Sequence, residues 1–348
     1  MRHLFIRSDA STAMGSGHIM RCIALAQAWQ EKGGYVTFLS HCQNEALQQR
    51  IIKEGLEFVF VERPHPDPAD LKQVTERLRN FRNGSGIPWI VLDGYHFTPD
   101  YQKALRAENY KLLVVDDMIH LNHYHADILL NQNIHAPKLK YTCDKETIKL
   151  LGCDYVMLCR EFFRYKKLRR HTERSAKKIL VTLGGVDSDN VILKVIKALS
   201  FIKDPELEVK IAVGSLNSNI NSLKTALSIS PCTFHLLFNV SNMPSLLSWA
   251  DLAISGGGST CWELAFFGIP FLVIVLAKNQ ADIAAGLDDA GAAINIGWHS
   301  NLKVDSIFKN IFELIRDNEK RNLLSQTSIS LVDGRGTERI LSEMVKYE

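Results

Sequence analysis

Short runs of aliphatic and β-branched residues alternate with longer helical patterns along the whole 348-residue chain. In the first half these runs are LFI, YVTFLS, EFVFV, WIVLD and KLLVVDD, and in the second half they are KKILVTLGG, VKIAVG, TFHLLF, DLAISGG, FLVIVL and AAINIG. Strands of this composition, separated by helices, form parallel sheets that are covered on both faces. Because the length exceeds that of one ordinary core, we predict an α/β fold of two doubly wound, Rossmann-like domains that face a central cleft.

The two halves are separated by the segment FFRYKKLRRHTERSAKK, which is strongly charged and has no clean period. It is most simply a solvated linker, so we predict an N-terminal domain over 1–160, a linker over 161–177 and a C-terminal domain over 178–348. A basic membrane-contacting segment is the less favoured interpretation. A helical pattern begins at Gly336, and this last helix is a candidate to pack back on the N-terminal domain.

The composition excludes several classes of protein. A formal net charge of +3 gives no basis for a nucleic-acid surface, and no apolar run reaches the ~20 residues of a membrane span. Asp9 follows closely on the apolar run HLFI, so no signal-peptide core is expected. The 7 cysteines are odd in number, scattered and without a CxxC pair, which favours reduced core thiols. We therefore expect a cytoplasmic protein without stable membrane insertion; the sequence gives no oligomeric state.

Three glycine-rich loops stand where strands of such sheets end, which is where doubly wound folds bind ligands. The glycines in these loops are Gly15 and Gly17, then Gly184 and Gly185, and finally Gly256, Gly257 and Gly258, which precede Ser259 and Thr260 at a helix start. Backbone N–H groups and helix N-termini of this kind bind anions. Ordinary connecting turns are the alternative for any one loop, but three such loops favour an anionic ligand. Neither a P-loop motif nor a true GxGxxG motif is present.

Polar side chains near these loops are candidates for the site. Glu263 follows the third loop on the first turn of its helix, where its carboxylate is suited to accept both hydroxyls of a ribose. His18 follows the first loop at the start of a helix that EKGG ends. The remaining candidates are Asp93 and Tyr95 after WIVLD, and Asn279 and Gln280 after FLVIVL. The alternatives are structural: a helix-start residue at His18 that only hydrogen-bonds the loop, a solvated helical glutamate at Glu263, a turn aspartate with a packing tyrosine, and a helix cap at Asn279.

A second histidine-rich segment, HLNHYHAD, contains His120, His123 and His125. A zinc site is one interpretation of this HxxHxH spacing. It is the weaker one, because neither a cysteine nor a spaced pair of carboxylates accompanies the histidines. We therefore predict neither a metal site nor a cofactor.

Several of these stretches together resemble a known family. GSGHIMRC, VLDGY, the DD…DILLNQN stretch, VTLGG and above all ISGGGSTCWELAFFGIPFLVIVLAKNQ resemble the PseG family of UDP-sugar hydrolases in pseudaminic acid biosynthesis. That family is related in fold to the MurG-type GT-B glycosyltransferases. The resemblance implies a GT-B-like fold and cleavage of UDP-2,4-diacetamido-2,4,6-trideoxy-β-L-altropyranose to UDP and free sugar, with inversion and without metal. The sequence departs from the family at LAFFG and at Lys278, which concerns the identity of the sugar.

The chemistry of that reaction assigns roles to the candidate residues. UDP is a good leaving group, so the glycine loops need to stabilise charge, whereas water needs a base. A histidine titrates near neutral pH, and His18 is therefore the expected base. Asp9 is expected to shape the loop or orient His18. A GT-B glycosyltransferase acting on a related UDP-sugar is the main alternative. A UDP-GlcNAc 2-epimerase and a non-enzymatic nucleotide-sugar-binding regulator are less favoured.

Overall fold

The computed structural model describes residues 3–11, 14–81, 88–165, 174–184, 187, 189–214, 217, 219–228 and 233–346. The chain forms two compact units. The first comprises Met1–Arg160 together with Gly334–Glu348, and the second comprises Glu161–Asp333. Each unit is built on one parallel sheet.

The first unit contains a 7-stranded sheet in which every neighbouring pair is parallel. Its strands are β1 (His3–Ser8), β2 (Tyr35–Ser40), β3 (Glu57–Phe60), β4 (Trp89–Asp93), β5 (Lys111–Val115), β6 (Ile128–Asn131) and β7 (Ile148–Leu151). Their spatial order is β3-β2-β1-β4-β5-β6-β7. The order reverses between β1 and β4, so the sheet has its switch point there.

The second unit repeats this plan with a 6-stranded sheet, again parallel throughout. Its strands are β8 (Lys178–Thr182), β9 (Glu208–Val213), β10 (Thr233–Phe238), β11 (Leu252–Gly256), β12 (Phe271–Val275) and β13 (Ile294–Trp298). The order β10-β9-β8-β11-β12-β13 places the switch point between β8 and β11. Ligands of such sheets bind outside the carboxyl ends of the strands at the switch point.

Helices connect the strands of both units. They are α1 (Gly17–Glu31), α2 (Glu45–Lys53), α3 (Pro68–Asn80), α4 (Pro99–Ala107), α5 (Val191–Leu199), α6 (Ile220–Ser228), α7 (Met243–Trp249), α8 (Thr260–Phe267), α9 (Ala281–Asp289), α10 (Val304–Arg316), α11 (Asn318–Leu331) and α12 (Gly336–Val345). Short 3-10 helices lie at Ala136–Lys138, Cys153–Tyr155, Arg160–Tyr165 and Lys278–Gln280. Helical crossover connections of this kind cover both faces of a parallel sheet.

All eleven strands predicted from the sequence are present, and so is the α/β class, but β6 and β7 were missed. Each of these two strands has only 4 residues, and 3-10 turns instead of long helices flank them. The alternating pattern that marks the other strands therefore does not extend through this region.

The predicted linker is partly packed. Phe162 is 3% exposed, and its ring and that of Phe163 contact Phe267 and Phe266, respectively. Ala176 is buried and its amide bonds the Ile315 carbonyl. The basic residues 166–173, on which the linker and membrane interpretations depend, lie outside the described residues. None of the described helices is long and apolar enough to cross a membrane.

The last helix lies with the first unit. Gly336, at the start of α12, approaches the backbone so closely that a Cβ there would lie 2.1 Å from the Val156 carbonyl oxygen. Arg339 donates a hydrogen bond of 2.9 Å to the Asp154 carbonyl. The chain thus returns to its N-terminal unit, and the segment from Gly334 onward does not continue the predicted C-terminal domain.

Candidate functional site

The first unit brings His18 and Asp93 together at its switch point. Asp93 is the last residue of β4 and stands in register with Ser8, the last residue of β1. The chain leaves β1 through a loop in which Gly15 has φ +73° and bonds the Ser11 carbonyl. This turn starts α1 at Gly17 and points its first residues toward the end of β4. The prediction that His18 begins a helix is confirmed.

The His18 imidazole is fixed by a buried carboxylate. Its Nδ1 lies 2.6 Å from Oδ1 of Asp93, which is fully buried. Burial raises the pKa of the Asp93 carboxyl, but the Arg21 guanidinium and His18 outweigh burial and hold this pKa below its ordinary value. An ionised carboxylate accepts hydrogen bonds only, so this contact assigns the proton of neutral His18 to Nδ1. Arg21 Nη2, which lies 3.0 Å from Nδ1, then donates to Asp93 Oδ1 at 2.6 Å instead. The lone pair that can take a proton is therefore on Nε2.

Arg21 links this pair to a second aspartate. Its Nε and Nη2 donate to the two Asp93 oxygens at 2.7 and 2.6 Å, and its Nη1 donates to Asp117 Oδ1 at 2.8 Å. Burial raises the pKa of Asp117, but the attraction of the Arg21 guanidinium lowers it by more, so the pKa of Asp117 lies below its ordinary value. With neutral His18 the cluster carries one positive and two negative charges. Sequence reasoning missed Arg21 and Asp117, although both are charged residues placed among apolar ones.

Tyr95 completes the cluster on the side of the imidazole. Its hydroxyl donates to Asp117 Oδ2 at 2.7 Å, and its ring packs edge-on against His18 with centroids 5.0 Å apart. Asn133 donates to the other oxygen of Asp117 at 2.7 Å. Asp93 and Tyr95 were predicted as a substrate-facing pair. The structure buries Asp93 beside His18, and protein groups bond both of its carboxylate oxygens.

A second histidine–aspartate pair stands on the other side of Tyr95. His120 Nδ1 bonds Asp116, and its ring lies 5.6 Å from that of Tyr95. Burial raises the pKa of Asp116, but the hydrogen bond from His120 lowers it to about 2. The turn between them puts Ile119 at φ +54°, a strained conformation for a β-branched residue. Nε2 of His120 is buried and has no hydrogen-bond partner among the described residues.

Asp9, the acidic residue expected to shape the loop or orient His18, serves a different group. Its carboxylate bonds the buried Arg7 guanidinium and accepts from the His41 backbone at 2.6 Å. His96 lies 3.0 Å from it. Asp93, not Asp9, is the carboxylate that contacts His18.

In the second unit, the third glycine loop connects β11 to α8 at the switch point. Gly257 donates its backbone N–H to Gln280 Oε1 at 3.0 Å, and Leu276 donates to the same oxygen. A Cβ at Gly257 would lie 2.9 Å from Gln280 Cβ, whereas one at Gly258 would meet open space. Gln280 was predicted to contact the ligand, but in this structure its carbonyl oxygen ties two loops together. The Gly257 amide is correspondingly engaged.

The remaining residues of this loop lead into α8. Ser259 is the N-cap and makes no side-chain cap bond, and Thr260 is the first helical residue. Glu263 is one turn further on and is partly exposed. Desolvation of its carboxyl group by the surrounding protein and the nearby Glu161 carboxylate raise the pKa of Glu263 to about 8. The site therefore disfavours the negative charge of Glu263, which distinguishes it from a solvated helical glutamate.

The second glycine loop fits the anion-binding prediction less well. Gly184 has φ +88° and open space around it, while Gly185 lies outside the described residues. The Asp187 carboxylate accepts from the Val191 and Ile192 amides at 2.7 and 3.0 Å. The first amides of α5 are thus already bonded to a carboxylate. Asn279 is partly exposed in the 3-10 turn, and the N-cap of α9 is Gln280, so Asn279 is not that cap.

Comparisons with known proteins agree with the fold of two parallel α/β units. Residues 178–334 match the glycosyltransferase family 28 C-terminal domain. Among solved structures, Acinetobacter baumannii MurG aligns over 99% of this chain and 100% of that chain, with a TM-score of 0.67 and 15% identity. Staphylococcus aureus MnaA with UDP aligns over 100% and 97%, with a TM-score of 0.68 and 13% identity. The chain therefore has the GT-B fold of MurG-like proteins.

Proteins with similar sequences define the resemblance more closely than the fold does. The UDP-2,4-diacetamido-2,4,6-trideoxy-β-L-altropyranose hydrolase of Campylobacter jejuni is 25% identical over 84% of this chain and 97% of its own length. The spore coat polysaccharide biosynthesis protein SpsG of Bacillus subtilis is 22% identical over 97% and 96%. An uncharacterized protein of Methanocaldococcus jannaschii is 26% identical over 79% of this chain, which spans 55% of that relative's length. The predicted resemblance to PseG-type hydrolases and to MurG is confirmed.

Proposed function

We propose that this chain hydrolyses a UDP-linked 2,4-diacetamido-2,4,6-trideoxy sugar to UDP and the free sugar. The observation that carries the proposal is the His18–Asp93 pair, 2.6 Å apart at the switch point of the first sheet. A histidine that is held and oriented by an aspartate can act as a general base and activate a water molecule. The similarity over 97% of the length of the Campylobacter jejuni hydrolase supplies the substrate class. The proposed reaction uses a small-molecule substrate and no resident cofactor.

His18 acts as the general base through Nε2, because Nδ1 donates to Asp93. The base-activated water attacks the anomeric carbon from the face opposite UDP, so the sugar is released with inverted configuration. The buried charges assist this step. One arginine and two aspartates give the cluster a net charge of −1 while His18 is neutral, and proton uptake brings it to zero. Burial penalises uncompensated charge, and the cluster loses its net charge when His18 takes the proton of the attacking water.

The second unit contributes the nucleotide site in this proposal. The backbone N–H groups of Gly258, Ser259 and Thr260 stabilise the leaving diphosphate at the N-terminus of α8. Glu263 accepts the ribose hydroxyls in its ionised form. The other predicted substrate contacts remain part of the proposal; they are Gly15, Gly17, Tyr95, Gly184, Gly185, Asn279 and Gln280. Because the amide oxygen of Gln280 is already bonded, Gln280 would contact the substrate through its amide nitrogen.

Incubation with UDP-sugars in the absence of any acceptor tests this function. Proton NMR should show UDP and a free sugar whose first-formed anomer is inverted. In ¹⁸O-labelled water the label should enter the sugar and not UDP, since the anomeric C–O bond breaks. The reaction should persist with chelator present. His18→Gln, which retains a hydrogen-bonding amide without basicity, should lose about 10²–10⁴-fold in turnover while binding UDP normally. Retained configuration or label in UDP would refute the mechanism.

A glycosyltransferase is the second candidate function, and the match of residues 178–334 to a glycosyltransferase domain favours it. That enzyme would release little UDP until an acceptor is added. The same NMR experiment separates the two, because a transferase leaves the UDP-sugar intact in water. An epimerase would instead accumulate a second UDP-linked sugar without release of UDP.

A further inference from the structure

The histidine-rich segment after β5 contains a second cluster of side chains that the proposed reaction does not use. His123 and His125 flank Tyr124, which pairs through an isolated parallel β-bridge with Cys143. Residues two apart on an extended segment point to the same side. The bridge therefore directs both imidazoles toward Asp144, which follows Cys143 on the neighbouring segment.

The three side chains converge on a single point. His123 Nε2 and His125 Nδ1 each lie 2.9 Å from the same atom, Oδ1 of Asp144. The two rings are 4.4 Å apart between centroids. In a tetrahedral zinc site with bonds of about 2.0–2.1 Å, ligand atoms stand about 3.3 Å apart. The two N···O distances would thus need to lengthen by only a few tenths of an ångström to admit an ion, and all three ligand atoms lie within 4.8 Å of one another. The three side chains are partly exposed.

The second oxygen of Asp144 is held separately. Arg106 donates to Oδ2 at 2.5 Å and lies 3.7 Å from Asp127, which also pairs with Lys111 at 3.0 Å. The two cations and two carboxylates balance in charge. Arg106 consequently orients Asp144 and leaves Oδ1 directed at the imidazoles, as outer partners of metal ligands do.

We propose that His123, His125 and Asp144 bind a divalent transition metal of the zinc class, with water completing the coordination. Imidazole and carboxylate suit Zn²⁺, Co²⁺ and Ni²⁺ better than they suit Ca²⁺ or Mg²⁺. Spacing alone suggested a site formed by all three histidines of HxxHxH. The structure instead pairs His120 with Asp116 and supplies Asp144, a carboxylate 19 residues beyond His125 in the chain, as the third ligand. This site shares no residue with the His18 cluster, so it is a structural site outside the proposed chemistry.

The test uses the full chain, free of affinity tag and stripped with chelator. Isothermal titration with Zn²⁺ should give one ion per chain, and Co²⁺ should give the visible absorption of a low-symmetry site. Asp144→Asn and His125→Ala should each weaken Zn²⁺ binding by at least the 10–100-fold that loss of a mere outer partner brings. His120→Ala is the matched control, because it removes a histidine of the same motif without removing a ligand.

Thermal unfolding gives a second readout. An ion that binds only the native state stabilises it by RT ln(1 + [ion]/Kd) and so raises Tm once its concentration exceeds Kd. Zn²⁺ should therefore stabilise the wild type and His120→Ala but not Asp144→Asn. If His125→Ala does not fold, His123→Gln replaces it. The absence of saturable binding, unchanged binding in Asp144→Asn, or an equal loss in His120→Ala would overturn the proposal. Because chelation should leave UDP release intact, failure of the metal site and failure of the proposed hydrolase are separate results.

Discussion

Replacement of Asp93 by asparagine tests most directly how the first unit works. Asparagine keeps the size of the side chain but removes its charge and converts one oxygen into a donor. In one orientation its amide N–H faces His18 Nδ1, which moves the imidazole proton to Nε2 and removes the base. In the other orientation the tautomer is kept, but an amide N–H faces Arg21 Nε, which donates to Asp93 in the wild type. Both outcomes impair proton uptake by His18.

The expected loss can be worked out from the contact geometry. His18 Nδ1 and Asp93 Oδ1 are 2.6 Å apart, so the centres of the two charges lie about 4 Å apart once His18 is protonated. At an effective dielectric constant of about 20, unit charges at that separation attract by about 4 kcal/mol. This corresponds to about 10³-fold in rate and lies within the range of general-base catalysis. We expect Asp93→Asn to lose about 10³-fold in kcat.

The assay is UDP release at saturating UDP-sugar, with UDP affinity measured in parallel by calorimetry. Asp93→Asn should bind UDP as the wild type does, because the proposed UDP contacts lie in α8 and in the loop that precedes it. If Asp93 acts through His18, its substitution in a His18→Gln background should change kcat by less than about threefold, since the residues of one catalytic unit are non-additive.

Two results would refute this reasoning. Turnover of Asp93→Asn within a few-fold of wild type would show that neither the tautomer nor the charge matters. Multiplication of the two single losses in the double variant would show that Asp93 acts independently of His18. Lowered thermal stability alone decides nothing, because breaking a buried ion pair typically costs about 3–5 kcal/mol.

Three further predictions concern other parts of the molecule. Since the pKa of Glu263 is raised to about 8, UDP affinity should rise with pH through 8, and Glu263→Gln should bind UDP weakly at every pH. Between pH 4.5 and 8 Glu263 keeps its proton in the folded state but loses it in the unfolded state, so the stability of the wild type falls as pH rises. The difference in Tm between Glu263→Gln and wild type should therefore move in favour of the variant through this window. Gly257→Ala, whose Cβ would lie 2.9 Å from Gln280, should lower Tm and weaken UDP binding, whereas Gly258→Ala should retain the wild-type Tm. His120 Nε2 has no hydrogen-bond partner among the described residues, and its ring lies beside Tyr95, a proposed substrate contact, so we expect Nε2 to bond the UDP-sugar. His120→Ala should therefore raise KM more than it lowers kcat, and a kcat/KM equal to that of the wild type in steady-state assays would contradict this role.

The sequence predicted the fold well because most strands are long enough to show their period and alternate with helices. The prediction stopped short at β6 and β7, where 4-residue strands follow irregular segments. It also took Glu161–Tyr165 as solvated because of its charges, although the phenylalanines among them pack on α8. Local composition reveals the periodicity of a helix or strand. It does not reveal which side chains of an irregular segment pack against the rest of the protein.

The candidate site was predictable where a residue ends a strand, as Asp93 does, or lies in the first turn of the helix after a glycine loop, as His18 and Glu263 do. The order of the strands could not be read from their spacing, and that order decides which strand ends meet. Asp117 follows β5, which pairs with β4, so its contact with Arg21 depends on topology. Asp144 reaches His125 for a similar reason, through a bridge that spans two irregular segments.

One turn of one helix explains why His18 and Arg21 occur together. They are three residues apart at the start of α1 and both reach the same carboxylate, because side chains at i and i+3 lie on one face. Without Arg21, burial would raise the pKa of Asp93 and favour a neutral acid, which cannot hold the imidazolium. Without Asp117, the cluster of His18, Arg21 and Asp93 would carry no net charge before proton uptake and a net positive charge after it. Asp117 supplies the extra negative charge, so the segment GHIMR carries both the proposed base, His18, and the arginine that keeps Asp93 ionised.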